Sequence, residues 1–328
     1  MSLLARYRAR LAAEIEEGGG RHDEPEIYGG AAGDPGLCGP DSVSWEIHGD
    51  LASLVVGGTA AILMEVVHPS VMAGVFTYSS YRTEPLRRAR NTLGYVLRTT
   101  FGSTPGATRV IEGVKRVHAR VSGTRLDGVA YEALDPELIG WVHTCIPWAV
   151  MQAFDRTCRP LSRAEKDRYL AEQAVIGRMG GAGDIPESVD ALEAYVERMR
   201  PQLRMTEHTH SFMDFLSGRD IEPPVSRRER LDRWVGIRAS MTLMPEWARR
   251  LTGTWQPAWM RRLWLEPSDR LKARLVRWAC PELPCKRMAL ERVYGAAATR
   301  DSGTLRAWQH APAISPATTP STTSIPAR

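Results

Sequence analysis

A chain of 328 residues is long enough to bury a sizeable core and, at about 150 residues per domain, corresponds by length alone to about two domains. Its 43% apolar and 25% charged residues exclude wholesale disorder and a collagen-like repeat. The 43 Lys and Arg against 38 Asp and Glu leave a net charge of +5, but only Lys115, Lys166, Lys272 and Lys286 among the basic residues are lysine, so the excess reads as arginine-rich coding bias and, without any DNA- or RNA-binding signature, no nucleic-acid partner is expected.

Residues 2–17 predict a short amphipathic arm, and residues 18–41, rich in Gly, Pro and Asp, a loop. The arm carries charges throughout and has no apolar core, so it is not expected to act as an export signal. Asp41 or Ser42 can cap one long helix running through Trp45 to Val67, which Pro69 stops. That stretch contains glycines and Glu65 and falls short of the ~20 apolar residues a membrane span needs, so a buried core helix is expected. Pro85 takes the first-turn position of a helix to about Phe101, and Pro105 opens another that Gly123 ends. In this second helix Val110, Val114, Val117 and Val121 recur at helical spacing, with Arg109, Lys115, Arg116 and Arg120 on the wet side.

Asp135 and Pro136 start a helix through Trp141, Ile146, Trp148 and Phe154 that is apolar on most sides and therefore central. Ser162 and Glu165 form a capping box for a helix to about Met179. Further helices are predicted over 188–200, 204–217, 227–242, 257–264, 268–279 and 284–297. No alternating strand and no internal repeat stands out. From about Asp301 the chain turns to Ala, Pro, Ser and Thr, and a disordered C-terminal tail is expected. The prediction is an all-α fold: an N-terminal arm and loop over 1–41, a single globular helical domain over 42–300, and the tail over 301–328.

The five cysteines, at 38, 145, 158, 280 and 285, are irregularly spaced and form no C-x-x-C. Neither a disulfide framework nor a zinc ribbon is expected, and the expected location is cytoplasmic. Histidines carry the chemical candidates. His118 shares a helical face with Ile111, Val114 and Val121, which puts its imidazole on or beside an apolar stripe. It is either a satisfied core histidine or an axial ligand, because haem iron commonly takes a neutral imidazole in an apolar pocket. His143 lies four residues before Pro147, whose missing N–H leaves the His143 carbonyl without its helical partner. It is either core packing or a second residue beside a ligand. Glu65–His68 and Glu207–His210 are both E-x-x-H, the i, i+3 pattern of helical di-iron carboxylate proteins, with Glu46 and Glu172 as candidate extra carboxylates. No serine-nucleophile elbow, phosphate-binding loop or H-E-x-x-H is present.

The stretches LMEVVHPSVMAGV, YSSYRTEPLRRARNTLGYVLRTTFG, VKRVHARVSGTRLDGVAYEALDPELIGWVHT, LSRAEKDRYLAEQ and YVERMRPQLRMTE together resemble a bacterial and fungal family of helical haem oxygenases. That family includes latex-clearing protein (rubber oxygenase) and the oxygenase that cuts the farnesyl chain in mycophenolic acid biosynthesis. The resemblance runs from about Gly49 to Met205, and the C-terminal helices fit it more loosely. It implies a helical domain around a buried cofactor pocket, haem b as cofactor, dioxygen as co-substrate and His118 as the iron ligand. It also implies that Arg88 and Thr92, four apart on one helix face, line the haem. With no C-x-x-C-H, the haem would be held non-covalently.

Rubber oxygenases resemble this stretch but carry a lysine just before that threonine, where this chain has Asn91. That departure, together with the absence of an export signal, implies a smaller apolar substrate, such as a prenyl chain, a lipid or a secondary metabolite. Glu65, the only acid in the apolar stretch before Pro69, is a candidate general base whose pKa burial would raise. His143 is a second-rank residue at the cofactor. Two other activities fit the same residues: a haem-binding sensor or carrier without turnover, and a di-iron carboxylate oxidase built on Glu65, His68, Glu207 and His210. A cofactor-free protein is a further alternative, docking at anionic membrane through Arg6, Arg8 and Arg10 or Arg227, Arg228, Arg230 and Arg233. Peripheral membrane contact is thus a candidate partner interaction, and nothing in the sequence specifies the oligomeric state.

Overall fold

The computed structural model describes residues 24–296, together with residues 5, 6, 8–10, 12 and 13 of the N-terminal arm, which are helical. The predicted tail from Asp301 and the rest of the arm lie outside the described residues. The fold is all-α with one small hairpin.

Helix α1 (Pro25–Tyr28) interrupts the stretch expected to be loop. Ser42 caps as predicted, accepting from the Trp45 amide at 3.1 Å, but helix α2 ends after six residues (Val43–His48). Asp50 then caps a new helix, α3 (Leu51–Val66), accepting from the Ser53 amide at 3.2 Å. The expected single helix is therefore two. A carboxylate placed just before an apolar run satisfies free amide groups better as a cap than it packs inside a helix. Pro69 does not simply stop the chain either. It occupies the first turn of α4 (Pro69–Tyr78), where its missing N–H costs nothing, and α4 bends away from α3 by 105°. No single helix among the described residues is long and apolar enough to cross a membrane.

Helix α5 (Pro85–Phe101) follows the prediction. Helix α6 (Thr104–His118) begins at a Ser103 cap and ends at His118, five residues before Gly123. The residues beyond form a hairpin, β1 (Ser122–Thr124) paired antiparallel with β2 (Ala130–Glu132), with Gly123 opposite Tyr131. Asp135 caps α7 (Pro136–Thr157), accepting from the Glu137 amide at 2.8 Å. The predicted capping box opens α8 (Arg163–Gly180), and Gly181 in the left-handed region (φ 104°) closes it.

Helices α9 (Val189–Met199), α10 (Glu207–Leu216) and α11 (Arg227–Met241) match predicted spans, whereas α12 (Glu246–Leu251) was not foreseen. A three-residue helical turn at Ala258–Met260 runs through a π-helical stretch, Arg261–Leu265, into α13 (Glu266–Ala279); α14 (Pro284–Tyr294) follows.

The centre of the core is the contact of α3 with α7. Gly57 makes it close: a Cβ there would stand 2.9 Å from both the Ala149 carbonyl oxygen and the Val150 Cα. Further along, the Trp141 indole donates to the Met64 carbonyl at 3.0 Å. Trp45, Leu63, Trp141 and Phe154 are buried here. At the start of α3, Asp50 also accepts from Arg277 of α13 at 2.8 and 2.6 Å, tying the C-terminal helices to the core.

Candidate functional site

Four of the predicted site residues come together although α3, α5, α6 and α7 each supply one. Glu65 and His118 both lie within electrostatic reach of Arg88, and His143 lies within reach of His118. On α5, Arg88 donates to Thr92 Oγ1 at 2.5 Å, and that hydroxyl donates back to the Arg88 carbonyl at 3.2 Å. The i, i+4 spacing thus orients the guanidinium along the helix. One turn further, Tyr95 meets the His143 ring edge-on, with centroids 5.8 Å apart.

The His143 ring is seated against α8. A Cβ at Gly180 would stand 3.1 Å from its Nε2, and one at Gly177 would stand 3.3 Å from its Cβ. The sequence reading missed Tyr95, Gly177 and Gly180. The i, i+3 pair of glycines near a helix end was the signal that could have found two of them.

Burial sets the electrostatics. The His118 imidazole is pushed down by desolvation and secondarily by the Arg88 charge. His143 is pushed down to about 4, chiefly by burial and then by His118. Glu65, 6% exposed, is pushed up to about 7 by burial, with only partial relief from Arg88. Its Oε1 has no hydrogen-bond partner among the described residues. Cys145, one turn below Trp141 on α7, is held as the thiol by burial and by the charge of Glu65. At neutral pH the site therefore presents two neutral imidazoles, a carboxyl near half-ionisation and one fixed positive charge.

This chemistry fits a haem. His118 sits half-buried at the last position of α6, and no hydrogen bond to a described residue occupies its ring. The neutral form is the one that ligates iron. Arg88 offers a cation to an anionic group beside it, and the orphaned Glu65 oxygen faces no protein donor. Asn91, at the departure from the rubber-oxygenase pattern, is exposed on α5.

The di-iron alternative is corrected by the same structure. Because α3 ends at Val66 and His68 is the N-cap of α4, Glu65 and His68 do not share a helix face. His68 is buried, is pushed down by that burial, and responds to Glu137, Arg125 and Asp135 instead of Arg88. Glu207 and His210 are exposed, and His208 stacks on Phe76 at 3.8 Å. Glu46 clamps Arg159 at 2.7 and 2.6 Å, and Glu172 accepts from the Ser44 amide and hydroxyl, both at 2.8 Å. Among the described residues no group of three or more His, Cys, Asp or Glu is placed to hold a metal ion. The buried His48 is a satisfied core residue, bonded to Thr100 Oγ1 at 2.7 Å and to the Tyr169 hydroxyl at 2.8 Å.

Comparison with known proteins gives the chain's family. Uncharacterized protein Rv2237 of Mycobacterium tuberculosis and Uncharacterized protein Mb2261 of Mycobacterium bovis are each 26% identical to the chain over 134 residues. The match covers 40% of this chain and 51% of each relative, so the chain spans about half the length of the curated relatives it matches. No solved structure matches. The family model described as ER-bound oxygenase mpaB/B'/Rubber oxygenase, catalytic domain, matches residues 45–300. That span contains Glu65, Arg88, Thr92, His118 and His143 and takes in every helix from α3 to α14, and the chain belongs to this oxygenase family.

Proposed function

We propose that this protein is an oxygenase that uses haem b and dioxygen on a small apolar substrate, with His118 as the iron ligand. The observation that carries the reading is the His118 imidazole itself, kept neutral by burial beside Arg88 and engaged by no described hydrogen-bonding group. Family membership supports the oxygenase class. Haem, when bound, supplies the activation of dioxygen and the redox chemistry.

The chain's own residues do the rest. His118 holds the cofactor from the end of α6. Arg88, oriented by Thr92, offers its guanidinium to a carboxylate of the cofactor or to negative charge developing on oxygen. Glu65 Oε1, unpartnered and balanced near neutrality, takes a proton from an activated C–H position of the substrate. Glu65 is buried among the apolar residues of α3 and α7, a setting that favours a prenyl, lipid or similar substrate over a polar one.

The visible absorption spectrum of the purified protein tests the reading. A Soret band whose chromophore is released by acid–acetone supports non-covalent haem b. A protein that stays colourless on reconstitution with haemin overturns it. Oxygen uptake that depends on an added isoprenoid or lipid separates an oxygenase from a haem carrier or sensor.

A further inference from the structure

Away from this site, the stretch that links α12 to α13 exposes an unusual set of side chains. Trp255 is 40% exposed, Trp259 58%, and Leu263 and Trp264 68% each. Trp259 sits in the helical turn Ala258–Met260, and Leu263 and Trp264 in the Arg261–Leu265 π-helix that directly follows it, so one short stretch of chain carries all three exposed groups. Large apolar groups clustered this way on a surface mark a contact with something else.

Arginines frame the patch. The Arg250 guanidinium lies 4.7 Å from the Trp255 ring centroid, and Arg262 is exposed. Arg249, next to Arg250 in the chain and within electrostatic reach of Arg261, is only 7% exposed, with its Nε buried and unpartnered among the described residues. Among the described residues no hydrogen bond or ion pair engages its side chain. The two carboxylates near it are committed elsewhere: Glu246 pairs with Arg250 at 2.6 Å, and Glu266 lies 3.6 Å from Arg261. Burying an unpaired guanidinium is costly unless an anion completes it. An exposed aromatic stretch accompanied by arginines, one of them buried with an unpartnered Nε, matches the chemistry of a phospholipid surface, where indoles settle at the headgroup level and guanidinium forks bind phosphate.

We propose that this face docks on an anionic phospholipid bilayer. Trp255, Trp259, Leu263 and Trp264 enter the boundary between headgroups and acyl chains, and Arg249 with Arg261 takes a lipid phosphate. The contact is peripheral, and it lies on different residues from the arginines of the arm and of α11 that the sequence singled out. It stands independently of the haem reading.

Co-sedimentation of the full chain with phosphatidylcholine vesicles, with and without phosphatidylglycerol, tests the proposal. We expect binding to the phosphatidylglycerol vesicles that weakens as salt is raised. The variant Trp259→Ala/Leu263→Ala/Trp264→Ala should bind roughly tenfold more weakly or less, and Arg249→Gln should lose about fivefold, mostly in the preference for anionic lipid. Trp264→Ala alone, at a position that packs little, should give a partial loss with an unchanged far-ultraviolet circular dichroism spectrum. The proposal falls if the parent sediments with neither vesicle, or if the triple variant binds like the parent. It falls equally if the parent is a dimer that the triple variant dissociates while neither protein binds vesicles, for then a second copy covers this face.

Discussion

The His143 ring rests on Gly180 so closely that a Cβ at position 180 would stand 3.1 Å from Nε2. Two opposing effects decide what an alanine does there. Helix propensity favours alanine by up to ~1 kcal/mol, and overpacking costs about 1–3 kcal/mol. At Gly180 the contact is with the edge of one ring, and we expect a net loss near 1 kcal/mol together with a displaced His143 ring. At Gly177 the new methyl meets both His143 and Ile185, so Gly177→Ala should be the more destabilising. Denaturant unfolding and the ring resonances of His143 report both effects; equal stability for both variants would mean that α8 shifts freely.

His118→Ala should abolish or sharply weaken haem binding, because it removes the bond to iron proposed for this imidazole. His68→Ala and His208→Ala should leave it intact, since His68 lies among Glu137, Arg125 and Asp135 and His208 stacks on Phe76. Haem titration followed at the Soret band checks all three. A native spectrum in His118→Ala would transfer the ligand role to His143.

The Glu65 carboxyl titrates near 7 in the folded protein against an ordinary value of 4.5. The folded state therefore prefers the proton, and ionisation works against folding. The cost is absent below the ordinary value, grows between the two, and is complete above the folded one. Glu65→Gln should match the parent at about pH 4 and exceed it in stability at about pH 8, by up to roughly 3 kcal/mol. Thermal unfolding at both pH values tests the sign, while loss of turnover in the same variant would locate the proton acceptor.

Two buried imidazoles make the opposite prediction on the acid side. His48 is pushed down to about 3 and His143 to about 4, both by burial, from 6.5. Below the ordinary value the unfolded chain takes up protons that the folded chain refuses. The stability present above about pH 6.5 is therefore lost as pH falls towards the folded values. His48→Asn should flatten this acid slope even if it lowers stability at neutral pH, because the Thr100 and Tyr169 hydroxyls lose a partner.

Arg88 lowers both Glu65 and His118. Arg88→Leu should let both titrate at higher pH, which nuclear magnetic resonance of the His118 ring can follow. Thr92→Val should keep the fold and release the guanidinium from its helix-bound position. The loss of stability should stay below about 1 kcal/mol, because Arg88 is partly solvated. Altered decay of the oxygen complex in Thr92→Val would tie this pair to the reaction. Unchanged titration in Arg88→Leu would place Arg88 outside the site.

Helix starts that rest on local chemistry were legible in the sequence. The Asp135–Pro136 cap, the Ser162–Glu165 box and the Pro85 first turn all lie where expected. Features that depend on a choice between two local solutions were not. Asp50 could be read as one polar residue in an apolar run or as a second cap, and only its bonds to Ser53 and Arg277 decide. Pro69 ends one helix and begins the next, which one sequence position cannot distinguish. Three-residue strands such as Ser122–Thr124 are too short to show alternation. At the site, Glu65, Arg88, Thr92, His118 and His143 were all named from the sequence, Arg88 and Thr92 through resemblance. The Tyr95 edge contact and the glycine seat of His143 join α5, α7 and α8 across long sequence separations and leave no local mark.

The close passage of Gly57 against Ala149 and Val150 works as a pin through the molecule. Glu65 lies eight residues along α3 from that pin, and His143 lies six residues back along α7 from Ala149. At 1.5 Å per residue these are rigid arms of about 12 and 9 Å. The separation between Glu65 and His143 is thus inherited from a backbone crossing that no side-chain motion can open. A guest that needs more room must gain it from the other wall, by displacing α5 and the Arg88–Thr92 pair it carries.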